Sequence, residues 1–132
     1  MSGDQRRRRR DRGQAAIEYL GFLPILLIVG LAGLQLGVAA YAAQQAGTAA
    51  RAAARAESAR AESGDVEAPD GDAAARAAAD WVTGVSVDPA GDEVVATVTV
   101  RIPSVVPFWH FDDVRKTATM PLPETSEGED LP

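Results

Sequence analysis

Glu18 has the clearest chemical potential in this sequence, because it borders a long uncharged segment. Residues 13–17 and 19–50 carry no charged side chain, so Glu18 lies about one turn inside a predicted apolar helix. A charge at the middle of a membrane span costs roughly 2.5–3.5 kcal/mol, and less near the boundary. Carboxylates in such positions are rare and usually have a partner. Glu18 therefore either marks the water boundary or pairs with a positive group.

Other residue types with distinctive chemistry are sparse. The chain has no cysteine, and His110 is its only histidine, so the sequence predicts no disulfide, no thiolate and no metal site. It contains no nucleophile elbow, no glycine-rich phosphate loop and no HExxH motif. The sequence therefore predicts no catalytic residue, no cofactor and no enzymatic activity.

A predicted transmembrane helix positions Glu18. Its apolar part, Leu20 to Ala43, has 24 residues, and about 20 residues are enough to cross the hydrocarbon core. The run is too long for the apolar region of a cleaved signal peptide, which spans about 7–15 residues. A signal-peptidase-like site, Ala40-Tyr41-Ala42, follows the run, so secretion after cleavage there stays open as an alternative.

Charge is distributed unevenly along the chain and predicts its orientation. Residues 1–13 contain six arginines and two aspartates, a net charge of +4, whereas the other residues sum to −10. By the positive-inside rule the basic end stays cytoplasmic and the C-terminus lies outside. An arginine run can also bind nucleic acid, but its place beside a span favours a role in topology. We therefore expect a basic cytoplasmic leader (1–13), a single-pass protein of the cytoplasmic membrane, and no nucleic-acid partner.

The motif around Glu18 resembles a known processing site. Gly13-Gln14-Ala15-Ala16-Ile17-Glu18-Tyr19 follows the basic leader, and Pro24 lies six residues after the glutamate. This pattern resembles the tight-adherence (Tad/Flp) branch of type IV pilins, and TadE-like pseudopilins most closely, with TadF-like and TadG-like subtypes as alternatives. The resemblance implies cleavage by a prepilin peptidase between Gly13 and Gln14, and an assembly role for Glu18, Tyr19 and Pro24.

The resemblance also implies a partner for Glu18, the new amine on Gln14 of an adjoining subunit. An α-amine has a pKa of roughly 7.7–8.0, so it is largely cationic at neutral pH, and in a low-dielectric bundle the pair would favour one axial register. Gly13 has no side chain, which makes an extended scissile segment easy to form. Tyr19 also fits ordinary anchoring at the headgroups, and Pro24 is expected to kink or loosen the helix.

The predicted helix continues beyond the membrane, giving a transmembrane and extended helix over residues 14–63. Ala42 to Ser63 consists almost wholly of good helix formers. Within the span, Gly33 and Gly37 form a small-xxx-small pattern, which either allows close helix crossing or arises by chance in so small-residue-rich a segment. Gln35, between them, can bond to a neighbouring helix or to its own backbone.

Residues 64–122 are predicted to form a small extracytoplasmic domain. A turn-rich linker precedes a short helix, Ala73 to Val82, with Asp72 as N-cap and Gly84 as the stop. The pattern then changes to period two, which predicts half-buried antiparallel strands, at 85–88, 93–102 and 114–122. Asp88-Pro89-Ala90-Gly91 fits a type I turn. The overall prediction is an α+β fold, in which the outer half of the long helix covers one sheet face, followed by an acidic disordered tail (123–132).

The uncharged aromatic stretch Pro107 to Phe111 lies between two predicted strands. It either closes the edge of the small core or forms a patch for a partner or a membrane surface.

Two principal functions fit these features. The first is a minor pilin-like subunit involved in assembly of a Tad/Flp-type pilus, with the membrane, a prepilin peptidase and other pilin or pseudopilin subunits as partners, and with a place in a surface pilus after processing. The alternative is an uncleaved single-pass anchor that displays a ligand-binding or protein-binding domain.

Overall fold

The structure is a computed structural model that describes the backbone of residues 3–124 and the side chains of residues 13–124. It contains a long helix, a short helix and a three-stranded antiparallel sheet, so the α+β prediction is confirmed. The elements are α1 (Gly3–Ser63), α2 (Gly71–Ala78), β1 (Val82–Ala90), β2 (Glu93–Val100) and β3 (Val114–Pro121). Most of the predicted acidic tail lies outside the described residues.

Helix α1 is one continuous rod of 61 residues, about 92 Å long at 1.5 Å per residue. Pro24 lies inside it without ending it, although proline cannot donate a backbone hydrogen bond. The helix ends where Gly64 adopts a positive φ of 66° and its N–H donates to the carbonyl of Arg60 at 3.0 Å. A glycine in this left-handed conformation is a common helix stop.

The sheet has the order β1-β2-β3, with both pairs antiparallel. The predicted type I turn at Asp88 to Gly91 is wrong, because β1 continues to Ala90, which pairs with Glu93. Gly91, with a φ of +69°, takes the tight turn instead. Pro89 is tolerated inside β1 because β1 is an edge strand, where a missing N–H costs little.

The core lies between α1 and one face of the sheet. Alternate residues of β2 point inward and are buried, as the period-two pattern predicts, while α1 contributes a stripe of alanines with no exposed surface. Small side chains let the helix approach the sheet closely, and each buried CH₂ group contributes only about 0.8 kcal/mol. The burial of these alanines against β2 confirms the prediction that the outer half of the long helix covers the sheet. The buried residues are Val94, Ala96, Val98, Val100 and Ile102 from the sheet side, and Ala42, Ala46, Ala49, Ala50, Ala53 and Ala54 from α1.

Helix α2 begins two residues earlier than predicted and ends earlier, at Ala78. Asp70, not Asp72, is the N-cap, and its carboxylate accepts the N–H of Ala73 at 2.8 Å. Asp72 lies inside the helix, where its bond to Arg76, 2.9 Å long, lowers the pKa of the Asp72 carboxyl. Gly84, the predicted stop, belongs instead to β1 at an irregularity in the pairing with β2.

Residues 64–122 form the small domain that we call the outer domain. Two contacts define how it lies along α1. Ser58 donates a hydrogen bond to the carbonyl of Pro121, 2.7 Å away, at the end of β3. Gln35 contacts the segment that connects β2 to β3. These two positions on α1 are about 35 Å apart. The connection between β2 and β3 therefore lies at the end of the domain that is nearest the apolar half of α1.

Candidate functional site

The predicted processing and assembly residues all lie on the first half of α1. Gly13 is exposed and helical, and a Cβ atom built there would meet nothing within 4 Å. We expected an extended backbone to form easily at Gly13, but in the structure the backbone is helical from Gly3 onward. Cleavage after Gly13 requires this part of α1 to unwind, which a glycine inside a helix makes less costly by about 0.5–1 kcal/mol relative to alanine.

Glu18 and Tyr19 project away from the rest of the chain. Both are exposed, and Tyr19 retains 76% of its accessible surface. Among the side chains of residues 13–124, no cation lies within ion-pair distance of Glu18. If Glu18 has a charged partner, that partner is absent from this part of the chain.

The apolar half of α1 is exposed along its whole circumference from Ile17 to Gly30. Large side chains between Ile17 and Val29 keep roughly half or more of their surface uncovered, namely Ile17, Leu20, Phe22, Leu23, Ile25, Leu26, Leu27, Ile28 and Val29. A soluble monomer rarely exposes so large a contiguous apolar surface. The segment Gly13–Ser63 contains a stretch long and apolar enough to cross a membrane, as the sequence predicts.

Gly33 and Gly37 lie on the side of α1 that the outer domain leaves free. Both are exposed, and a Cβ atom built at either would meet nothing within 4 Å. At 100° per residue, Gly33 is about 160° from Gln35, which faces the domain, and about 60° from Glu18. The glycines and Glu18 thus belong to the half of the helix that is open to a neighbouring helix.

Gln35 has a role that the sequence does not reveal. Its side chain has no exposed surface and bonds neither to its own backbone nor to another helix. Its Oε1 accepts the N–H of Val105 at 2.7 Å, with the N–H of Val106 at 3.4 Å, and its Nε2 donates to the carbonyl of Pro103 at 3.2 Å. Gln35 therefore attaches the connection between β2 and β3 to the apolar helix, which corrects both expectations for this residue. The only sequence signals are a lone amide in the span and an uncharged loop far along the chain.

The described residues also provide no cluster of groups suited to catalysis. Within the part of the chain that the structure describes, no three His, Asp or Glu side chains lie close enough together to hold a metal ion. The predicted absence of enzymatic activity and cofactors stays a prediction.

Comparison with known proteins relates the helix to one family. The family model described as TadE-like protein matches residues 13–55. The helical segment 13–55 is TadE-like. The match begins at Gly13, the predicted processing residue, and it includes Glu18, Tyr19 and Pro24.

The matched segment covers about a third of the chain, and the match ends directly after Ala54, the last completely buried alanine of α1. No curated protein and no solved structure matches the chain.

Proposed function

We propose that this protein is a minor pilin-like subunit of a Tad/Flp-type pilus, with a structural role and no enzymatic one. The observation that carries the proposal is the TadE-like match that begins at Gly13 and runs through Glu18 into an apolar helix whose large side chains are exposed from Ile17 to Val29. In this proposal α1 spans the cytoplasmic membrane with its basic end inside. A prepilin peptidase removes residues 1–13, and the mature chain starts at Gln14.

The distribution of exposed surface on α1 supports assembly through helix packing. The outer domain covers one side of the helix from Gln35 outward, and the side with Gly33 and Gly37 stays open. Small residues at a helix surface allow another helix to approach closely in a membrane. A neighbouring subunit can therefore pack along α1 without displacing the outer domain.

The position of Glu18 supports a link between processing and assembly. Glu18 is exposed and lacks a cationic partner within residues 13–124. Cleavage after Gly13 would create an amine on Gln14, four residues from Glu18 along the chain. Paired with Glu18 of an adjoining subunit, this amine would satisfy a carboxylate that is costly to leave alone in lipid. No such amine exists at this position before cleavage.

An uncleaved anchor that displays a binding domain is the second candidate, favoured by the helical backbone through Gly13. Secretion after cleavage at Ala40-Tyr41-Ala42 has less support. Ala42 is completely buried in α1 beneath the sheet, so a cut there would require the helix–sheet packing to open.

The mass of the mature protein from its native cells tests the processing step. A start at Gln14 that depends on the prepilin peptidase supports the proposal. An intact leader in cells that express the peptidase would leave only the anchor.

Replacing Glu18 by valine tests the assembly step. The Glu18→Val chain should insert and be processed normally, yet be lost from sheared pili, because the apolar helix is intact and its charge partner is gone. Glu62→Val is the matched control, since Glu62 is an exposed residue of the outer end of α1, and it should be incorporated like the wild type. Equal recovery of both variants in pili would contradict the role assigned to Glu18.

A further inference from the structure

The aromatic residues outside the apolar half of α1 are concentrated at one end of the outer domain. The sequence has seven aromatic residues, of which Tyr19 and Phe22 lie near the N-terminal end of α1, away from the sheet. Tyr41 and Trp81 meet edge to face with ring centroids 5.7 Å apart, and Trp109 stacks on Phe111 at 6.0 Å. Both pairs lie at the end of the domain nearest the apolar helix, and Phe108 lies beside the second pair in sequence.

The segment 103–111, which we call the aromatic loop, exposes apolar groups at this end. It contains no Asp, Glu, Lys or Arg. Phe108 is 94% exposed, and Trp109 and Val105 are 49% and 39% exposed. Two roles were open for this stretch, closing the edge of the core or forming a surface patch. Phe111 packs against the core and so fits the first role, whereas the exposed Phe108 does not.

Gln35 places the aromatic loop at a defined depth. Seventeen residues separate Gln35 from Glu18, a rise of about 26 Å along the helix. The hydrocarbon core of a bilayer is about 30 Å thick. If Glu18 lies at the inner boundary, the loop meets α1 within a few ångströms of the outer boundary.

Several polar backbone groups of the aromatic loop are paired, which lowers the cost of bringing the loop close to lipid. Gln35 engages Pro103 and Val105. The hydroxyl oxygen of Ser104 lies 2.8 Å from the carbonyl oxygens of both Val106 and Trp109, and the N–H of Trp109 donates to Val106 at 3.1 Å. Pro103 and Pro107 have no N–H to satisfy.

We propose that the aromatic loop lies in the outer leaflet of the membrane, with the rings of Phe108 and Trp109 at the boundary between headgroups and acyl chains. Tryptophan is enriched at this depth because its ring is apolar and its N–H is polar. The charged residues Arg101 and Asp112, on either side of the loop, remain on the water side. The inference depends on the membrane orientation of the proposed function, and it does not depend on processing or on incorporation into a pilus.

Depth-dependent fluorescence quenching tests this placement in the full chain. Because the sequence has two tryptophans, Trp81→Phe leaves Trp109 as the only one. The protein is reconstituted in phosphatidylcholine vesicles whose acyl chains carry bromine either near the glycerol or at the chain end. Trp109 should lose most of its emission with the shallow bromine, lose less with the deep bromine, and be protected from aqueous iodide.

Two control variants separate the possible failures, and both also carry Trp81→Phe and Trp109→Phe. Leu26→Trp places the probe in the middle of the span and should be quenched most by the deep bromine. Val66→Trp replaces an exposed residue of the linker after α1 and should be quenched by iodide and by neither bromine.

Three results would overturn the proposal. If the Leu26→Trp probe is quenched by lipid and Trp109 behaves like the Val66→Trp probe, the loop lies in water while α1 still spans the membrane. If Trp109 is shielded from iodide without lipid quenching, a second copy of the chain covers the loop. If the Leu26→Trp probe is not quenched, the membrane placement of the proposed function fails as well.

Discussion

Replacing Gln35 by leucine tests whether one amide holds the outer domain against the apolar helix. Leucine has a similar size and suits the apolar surroundings, but it cannot bond to the loop. The change would leave the N–H of Val105 and the carbonyl of Pro103 without the partners they now have at 2.7 and 3.2 Å. The contact with Val106 at 3.4 Å is too long to contribute much.

The expected cost follows from these two unpaired groups. A buried polar group without a partner costs about 1–3 kcal/mol. Because the two groups are only partly buried, we expect their combined cost to lie near the middle of this range, at about 2 kcal/mol. This corresponds to a change of about 30-fold in the opening equilibrium. Amide hydrogen exchange of the 103–111 segment, measured on the full chain in lipid nanodiscs, should become faster by about that factor.

Gln44→Leu is the matched control, because Gln44 is an exposed glutamine of the same helix. It should leave the exchange of the loop unchanged. The assignment of Gln35 would be refuted if the two variants exchanged alike, or if Gln35→Leu accelerated exchange by less than about threefold, which is only about 0.6 kcal/mol.

Two further substitutions test the packing of the outer domain, each measured as the free energy of unfolding. Gly71→Ala should destabilise by about 1–3 kcal/mol, because the new Cβ would lie 2.8 Å from Cγ2 of Val87 and 3.2 Å from the carbonyl oxygen of Ala53. Gly47→Ala, in a helical position with room, should stabilise by about 0.5–1 kcal/mol. If Gly71→Ala were stabilising as well, the contact at Gly71 would be unimportant. Val98→Ala should cost about 2 kcal/mol or more, because Val98 is completely buried, and an effect as small as that of a change at an exposed valine would contradict its place in the core.

Periodicity made much of this fold predictable. The alternation from Val94 to Ile102 is strict, so it specified which face of β2 is buried. The alanine-rich half of α1 has no other apolar partner in the sequence, so it had to cover that face. Both inferences use patterns that repeat over many residues, and a single exception does not change their result.

The errors arose where neighbouring residues offer equivalent local signals. Asp70 and Asp72 are both good caps, and Asp70 is selected by tertiary contacts. The N–H of Gly71 donates to the carboxylate of Glu57 at 2.6 Å, and Gly71 lies so close to α1 that a side chain does not fit. Similarly, Pro89 is a good turn residue in isolation, and only the edge position of β1 allows it to stay in the strand.

The sequence motif identifies candidate residues where the chemistry is local and not where it is long-range, and the roles of those residues stay predictions. Gly13, Glu18, Tyr19 and Pro24 form a motif within twelve residues, and the TadE-like match covers all of them. The bonds from Gln35 to the loop join residues about 70 positions apart. No spacing rule connects such a pair, so the anchoring of the aromatic loop became visible only with the fold.

The continuity of α1 has a mechanical consequence for any assembly of this protein. No hinge separates the apolar half of the helix from the half that carries the sheet, and the contact at Gln35 joins the two halves a second time. A rotation of the helix about its axis must therefore turn the whole outer domain through the same angle. The packing of helices inside a bundle would then determine which surface each subunit exposes. A small rotation of the packed helices would rotate all of the outer domains by the same angle.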